Sequence, residues 1–239
     1  MRAVALAALL LVSGCASTFE PQIGRSKRED QLVKLLKEPG ASESYENQWN
    51  CARLCEQIAD PDIEGRAGFD RYEIAKLGLE HAKQAIKLSP RAPEGHFYDM
   101  INQARLCEAQ TIPDSADVGN LLAKAKAMLD IDEKYDSAGA HRLLGILLAD
   151  LPDPPKLSYP PGDVAEADRQ LAKAVALFPD FPENQIEYGR FQLEKMDNVE
   201  EARPLLEKGR QLLDTYKDLS DEERAHLRKK VNELLERCK

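Results

Sequence analysis

The chain has little of what builds a sheet or a catalytic centre. Aromatic residues make up 6% of its 239 positions, with a single Trp, and Val and Ile are sparse. Strands draw on β-branched and aromatic side chains, so this composition argues against a β-structure. No Gly-rich phosphate loop, no Gly-x-Ser-x-Gly elbow and no His-Glu-x-x-His pair occurs in it. His81, His96, His141 and His226 stand apart without ligand spacing. The stretch Asp60-Pro61-Asp62-Ile63-Glu64-Gly65 opens like a calcium loop. Its twelfth position is Arg71 where a bidentate Glu is required, so it reads as an acidic turn. The expectation is a protein that is not an enzyme and carries no cofactor and no metal. Positive charge is also short: 33 Lys and Arg face 42 Asp and Glu, a net charge of −9. That balance argues against nucleic acid and against electrostatic binding to an anionic lipid surface.

Long apolar runs are missing too, apart from Ala3–Val12 near the start. A bilayer-spanning helix needs about 20 such residues, so this run is too short to span. It follows the charged Met1-Arg2 and leads into Val12-Ser13-Gly14-Cys15. A charged start, a short apolar core and small residues describe a secretory signal. The aliphatic-small-small-Cys pattern resembles a bacterial lipobox. The resemblance implies removal of residues 1–14, lipidation of Cys15, and a short tether over 15–28. With Arg2 gone the net charge becomes −10. Ala16-Ser17 follows Cys15 in place of the Asp that retains lipoproteins at the inner membrane. The implied location is the periplasmic face of the outer membrane, held by lipid.

The rest of the chain is rich in Ala, Leu, Glu, Lys and Arg, with apolar residues recurring every three or four positions. Tyr72-Ile74-Ala75-Leu77-Gly78-Ala82-Ala85-Ile86 and Leu171-Ala174-Val175-Leu177 are two such stripes. Stop and start signals separate them, among them Ser89-Pro90, Pro161-Gly162-Asp163 and Phe178-Pro179-Asp180. The pattern predicts an all-α chain of about ten helices forming a single domain over 29–239. Spacing also repeats. Gly78, Ala82, Ala85 and Pro90 match Ala167, Leu171, Ala174 and Pro179 position for position, and Ala202, Leu206 and Gly209 match the first half. Leu144-Gly145 and Tyr188-Gly189 supply a large residue followed by Gly. These features resemble tetratricopeptide hairpins, which implies a right-handed superhelix of stacked helix pairs with irregular repeats. A proline-rich insertion, 150–163, interrupts one pair; its five prolines make it stiff and extended.

Ala85-Ile86-Lys87-Leu88-Ser89-Pro90 runs into Glu94-Gly95-His96-Phe97-Tyr98, and Ala140-His141-Arg142-Leu143-Leu144-Gly145 precedes the insertion. Ala174-Val175-Ala176-Leu177-Phe178-Pro179 precedes Asn184 and Tyr188-Gly189. Over 70–215 these segments resemble the T component associated with TRAP transporters, periplasmic lipoproteins with tetratricopeptide-like hairpins. The resemblance implies a periplasmic binding or adaptor component of a TRAP-type solute uptake system, with a solute-binding protein as partner. The alternative is a tetratricopeptide lipoprotein scaffold that docks another envelope protein during outer-membrane or pilus assembly. Self-association stays open.

The repeat register places Phe97, Ile101 and Arg105, then Arg142 and Ile146, then Ile186, Arg190 and Leu193 on one concave face. Three arginines among aliphatic side chains would suit a small organic acid, since the guanidinium fork matches a carboxylate. TRAP systems, as a family, move organic acids. The alternative is that the arginines pair with neighbours such as Glu94, Glu187 and Glu194. Cys51, Cys55, Cys107 and Cys238 remain after the signal. In an oxidising compartment they are disulfide candidates, Cys51 and Cys55 each pairing with a distant Cys. The alternative is that all four are buried free thiols.

Overall fold

A computed structural model describes residues 26–60, 70–151 and 159–239. The signal, Cys15, nearly all of the expected tether, the acidic turn after Asp60 and the centre of the proline-rich insertion lie outside the described residues. Among the described residues the protein is all-α: α1 (Lys27–Leu36), α2 (Tyr45–Ala59), α3 (Arg71–Leu88), α4 (Pro93–Glu108), α5 (Ser115–Asp132), α6 (Tyr135–Asp150), α7 (Val164–Leu177), α8 (Pro182–Glu194), α9 (Val199–Thr215) and α10 (Asp221–Arg237). One 3-10 turn, Ala41–Glu43, precedes α2, and no strand is present among these residues. Helices pack as the hairpins α2–α3, α4–α5, α6–α7 and α8–α9, with α1 on α2 and α10 on α9. This is the expected helical-hairpin superhelix.

Local chemistry sets the helix starts. Ser26 and Glu29 form a reciprocal capping box, so α1 begins at Lys27, inside the stretch expected to be tether. Ser220 and Glu223 do the same for α10. Pro93 and Pro182 open α4 and α8, where a missing N–H costs nothing.

The core is segmented along the array, as expected of stacked repeats. Leu32, Cys55, Ile58 and Ile74 belong to a first cluster. Met100, Leu121, Met128, Leu144 and Phe191 belong to a second, and Ile186, Leu206, Leu213 and Val231 to a third. Two hairpins close on a glycine. A Cβ on Gly145 would lie 2.6 Å from Leu171 Cγ, and one on Gly189 would lie 2.7 Å from Leu206 Cγ. Both positions would also press a carbonyl oxygen of the facing helix at 3.2 Å. Glycine is therefore what lets these helix axes approach.

Two features escape the repeat pattern. Asp136, Ser137 and Ala138 open α6 in the left-handed region, with φ of 51°, 54° and 65°. Each non-glycine residue there costs about 1–2 kcal/mol. Asn184 Nδ2 holds the turn by donating to the Ser137 carbonyl at 3.0 Å. The second feature joins the ends of the array. Arg28 Nη2, at the start of α1, lies 2.8 Å from Glu222 Oε2, at the start of α10. The stack curls until its first and last helices touch. No helix among the described residues is long and apolar enough to cross a membrane.

Candidate functional site

Curling brings one face of each of five helices onto a shared concave cavity of about 540 Å³. α2 contributes Arg53, Glu56, Gln57 and Asp60, at the three- and four-residue spacing of a single helix face. α4 contributes Phe97, Tyr98, Ile101, Ala104, Arg105 and Glu108, and α6 contributes Asp136, Arg142, Leu143 and Ile146. From α8 come Glu183, Glu187 and Arg190, with Phe181 just ahead of it. α10 supplies Glu223, His226, Leu227 and Lys230, and the loop before it adds Tyr216 and Asp218. Among the described residues, α3, α5, α7 and α9 supply nothing to this lining.

Each of the three arginines read from the repeats is already engaged. Arg105 donates to Glu56 Oε1 through Nε at 3.1 Å and Nη2 at 2.8 Å, to Glu108 at 2.9 Å, and to Asp60. Arg142 donates to Asn184 Oδ1 at 2.9 Å, contacts Asp136 at 3.2 Å and Glu183 at 3.3 Å, and lies 5.0 Å over the Phe181 ring. Arg190 bonds Glu187 at 3.0 Å and Glu194 at 3.2 Å. Charge-assisted bonds of this kind are strong, and the carboxylates deny the guanidinium forks to an incoming anion. The basis for an organic-acid site on these arginines is thus removed.

Arg53 is different. It donates to Asn50 Oδ1 at 3.1 Å and lies 5.9 Å over the Trp49 ring. Among the described residues it forms no ion pair, and its buried Nε has no hydrogen-bond partner. Trp49 in turn stacks on Tyr98 at 6.0 Å.

Among the described residues, eight carboxylates and five Lys and Arg side chains line the cavity. Burial pushes the Glu56 and Glu183 carboxyls above the ordinary range, beyond what Arg105 and Arg142 restore. Nearby Asp60 and Asp136 push Glu56 further up, and Glu187 and Asp136 do so for Glu183. Burial also raises the Glu187 carboxyl, but Lys230 and Arg190 outweigh it and hold it below the ordinary range. Burial pushes the Tyr135 phenol, at the edge of the left-handed turn, up to about 12.

Phe97, Ile101, Arg105, Arg142, Ile146 and Arg190 meet on this cavity. Ile186 does not: it is fully buried in the third cluster, where it meets Gly209. Glu183, Glu187 and Arg190 form the cavity face of α8, and Ile186 is rotated about 100° from Glu187 toward α9. Leu193 likewise packs against the third cluster. The disulfide expectation is also corrected. Cys51, Cys55, Cys107 and Cys238 are free and buried, and they are dispersed over all three core clusters. Burial lifts the Cys51 thiol to about 12 and Cys107 to about 11, which keeps both protonated. The contributions of α2 and α10 escaped sequence reading because neither segment carries the repeat spacing that set the register elsewhere. Among the described residues no group of three His, Cys, Asp or Glu side chains is arranged to hold a metal.

The fold has a solved counterpart. A crystal structure described as a thermophilic TPR protein in Thermus thermophilus superposes with a TM-score of 0.61 at 17% identity. The match covers 87% of this chain and 90% of that one. At this identity the likeness shows the tetratricopeptide-like fold. No family model matches the chain, and no curated protein is similar to it in sequence.

Proposed function

We propose that this chain is a non-catalytic docking protein of the bacterial envelope, anchored through lipid on Cys15. Its concave cavity receives a segment of a partner protein. The observation that carries the reading is the convergence of α2, α4, α6, α8 and α10 on one cavity while the alternate hairpin helices face away from it. Stacked hairpins use such a face to hold partners, and the interlocked ion pairs keep its shape before anything binds. The partner class we favour is the solute-binding protein of a TRAP-type uptake system. That choice draws on the segments Ala85–Tyr98, Ala140–Gly145 and Ala174–Gly189 that resemble the transporter-associated family.

Calorimetric titration of the purified protein with a TRAP-type solute-binding protein of the same bacterium tests the adaptor role. A complex with micromolar or tighter affinity is expected; no complex at that concentration removes the role. Labelled palmitate should be incorporated in the bacterial host and lost in Cys15→Ser. Equal labelling of both would overturn the anchor.

A further inference from the structure

Neither the fold nor the family resemblance states what chemistry the cavity selects. We infer that it takes a short cationic peptide segment, one bearing Lys or Arg, and not a free organic acid; this rests on the docking reading above.

Charge decides the sign. Among the described residues the lining carries three more carboxylates than Lys and Arg side chains, and Arg105, Arg142 and Arg190 are each bracketed by two or more acids. An anionic guest would have to displace those acids and would meet their repulsion. A cation meets carboxylates gathered from separate helices. Asp218 at the rim is exposed and makes no ion pair among the described residues. Asp136 already serves Arg142 but has a half-exposed side chain, and that of Glu183 is a third exposed. Aromatic faces from Tyr98, Phe181 and Tyr216 also line the wall, and such faces attract ammonium and guanidinium groups.

Arg53 decides the class. Its guanidinium lines the cavity, bonds only Asn50 Oδ1 and forms no ion pair among the described residues, so it offers a donor in a cavity that otherwise asks for cations. An organic acid supplies only the acceptor, and a polyamine supplies only the cation. A peptide supplies both, with a main-chain carbonyl for Arg53 and basic side chains for Glu183, Asp136 and Asp218. The cavity volume lies within the range of sites that enclose a few side chains.

Fluorescence anisotropy with labelled eight-residue peptides of Lys/Ala, Glu/Ala and Ser/Ala composition tests this on the purified protein. The Lys/Ala peptide should bind best and weaken about tenfold as salt rises to 0.5 M, through screening. Asp218→Lys, an exposed change that leaves the fold intact, should weaken it about fivefold to tenfold, and Glu183→Gln by a similar factor. Equal binding of all three peptides, preference for Glu/Ala, no binding of Lys/Ala, or indifference to both substitutions overturns the inference. Loss of the docking reading looks different. If the solute-binding protein is captured equally by the parent protein and by Asp218→Lys, docking stands and the cationic guest falls. If nothing is captured by either, docking itself falls.

Discussion

Between α6 and α7, and again between α8 and α9, the helices meet where a glycine faces a leucine, Gly145 against Leu171 and Gly189 against Leu206. The α4–α5 hairpin has no such pair. Gly95 of α4 faces back to Ile86 of α3, and Gly119 of α5 faces open space. Here Lys124 of α5 instead reaches Asp99 at 2.9 Å and Gln103 at 3.2 Å of α4. The same preference runs through the earlier half of the array. His81 Nδ1 lies 2.9 Å from Gln48 Oε1 between α3 and α2, and Asn102 Nδ2 donates to the Ala52 carbonyl at 3.0 Å between α4 and α2. The later hairpins close on a glycine against a leucine, and the earlier elements meet through polar side chains, with Gly78 of α3 leaving room for Asn102, whose Oδ1 an added Cβ would overlap. A shape contact tolerates no added carbon, whereas a polar contact depends on partners and on pH.

Overfilling the glycine contacts should give the largest effect. Gly145→Val and Gly189→Val should each destabilise by about 3 kcal/mol, because Leu171 and Leu206 sit in packed core and cannot swing away. Urea unfolding measures this, and a loss below about 0.5 kcal/mol would erase the distinction between the halves.

The two buried asparagines come next. Asn184 accepts from Arg142 and donates to the Ser137 and Ala174 carbonyls, both at 3.0 Å, joining α8 to α6 and α7. Asn102 donates to Ala52 and Tyr98 carbonyls, but its Oδ1 has no partner among the described residues. Removal should therefore cost more in the later half: about 3 kcal/mol for Asn184→Ala against about 1.5 kcal/mol for Asn102→Ala. Equal losses would mean the unpartnered oxygen makes no difference.

Acid should act on the earlier half. Burial lowers the His81 imidazole to about 4, against an ordinary value near 6.5. Above 6.5 both folded and unfolded chains hold it neutral, so it adds no pH dependence. Below 6.5 the unfolded chain takes a proton that the folded chain refuses, and stability falls until about pH 4. The total is about 3 kcal/mol. His81→Gln should flatten that part of the stability–pH curve; an unchanged curve refutes the assignment. Gly119→Ala is the smallest change and has the opposite sign. Nothing lies within 4 Å of its Cβ position, so helix propensity should raise stability by about 0.5–1 kcal/mol. A loss at Gly119 as large as that at Gly189 would show that every glycine here is a contact.

The helices were legible because apolar spacing is local, and the α4, α6 and α8 positions on the cavity followed from one shared register. Ile186 was misplaced by a single position, which on a helix is enough to turn a side chain from the cavity into the core. The arginines' partners were hidden for a different reason. Glu56 stands 49 residues before Arg105, and Glu183 lies two helices beyond Arg142, so no periodicity links them. The left-handed turn was invisible as well. Tyr135-Asp136-Ser137-Ala138 reads as an ordinary helix start, and Asn184, 47 residues later, holds the Ser137 carbonyl in place.

The ion pair between Arg28 and Glu222 bears on how the molecule assembles in time. Its partners are 194 residues apart, while most other contacts lie within a hairpin or between neighbouring ones. Exposed pairs of this kind contribute less than about 1 kcal/mol, so the pair cannot pull the ends together. Each hairpin can form from nearby chain and add its own bend, and ring closure is simply where those bends arrive. The cavity, lined from α2 through α10, is accordingly complete only once every hairpin has formed and α10 lies against its neighbours, wherever along the array folding begins.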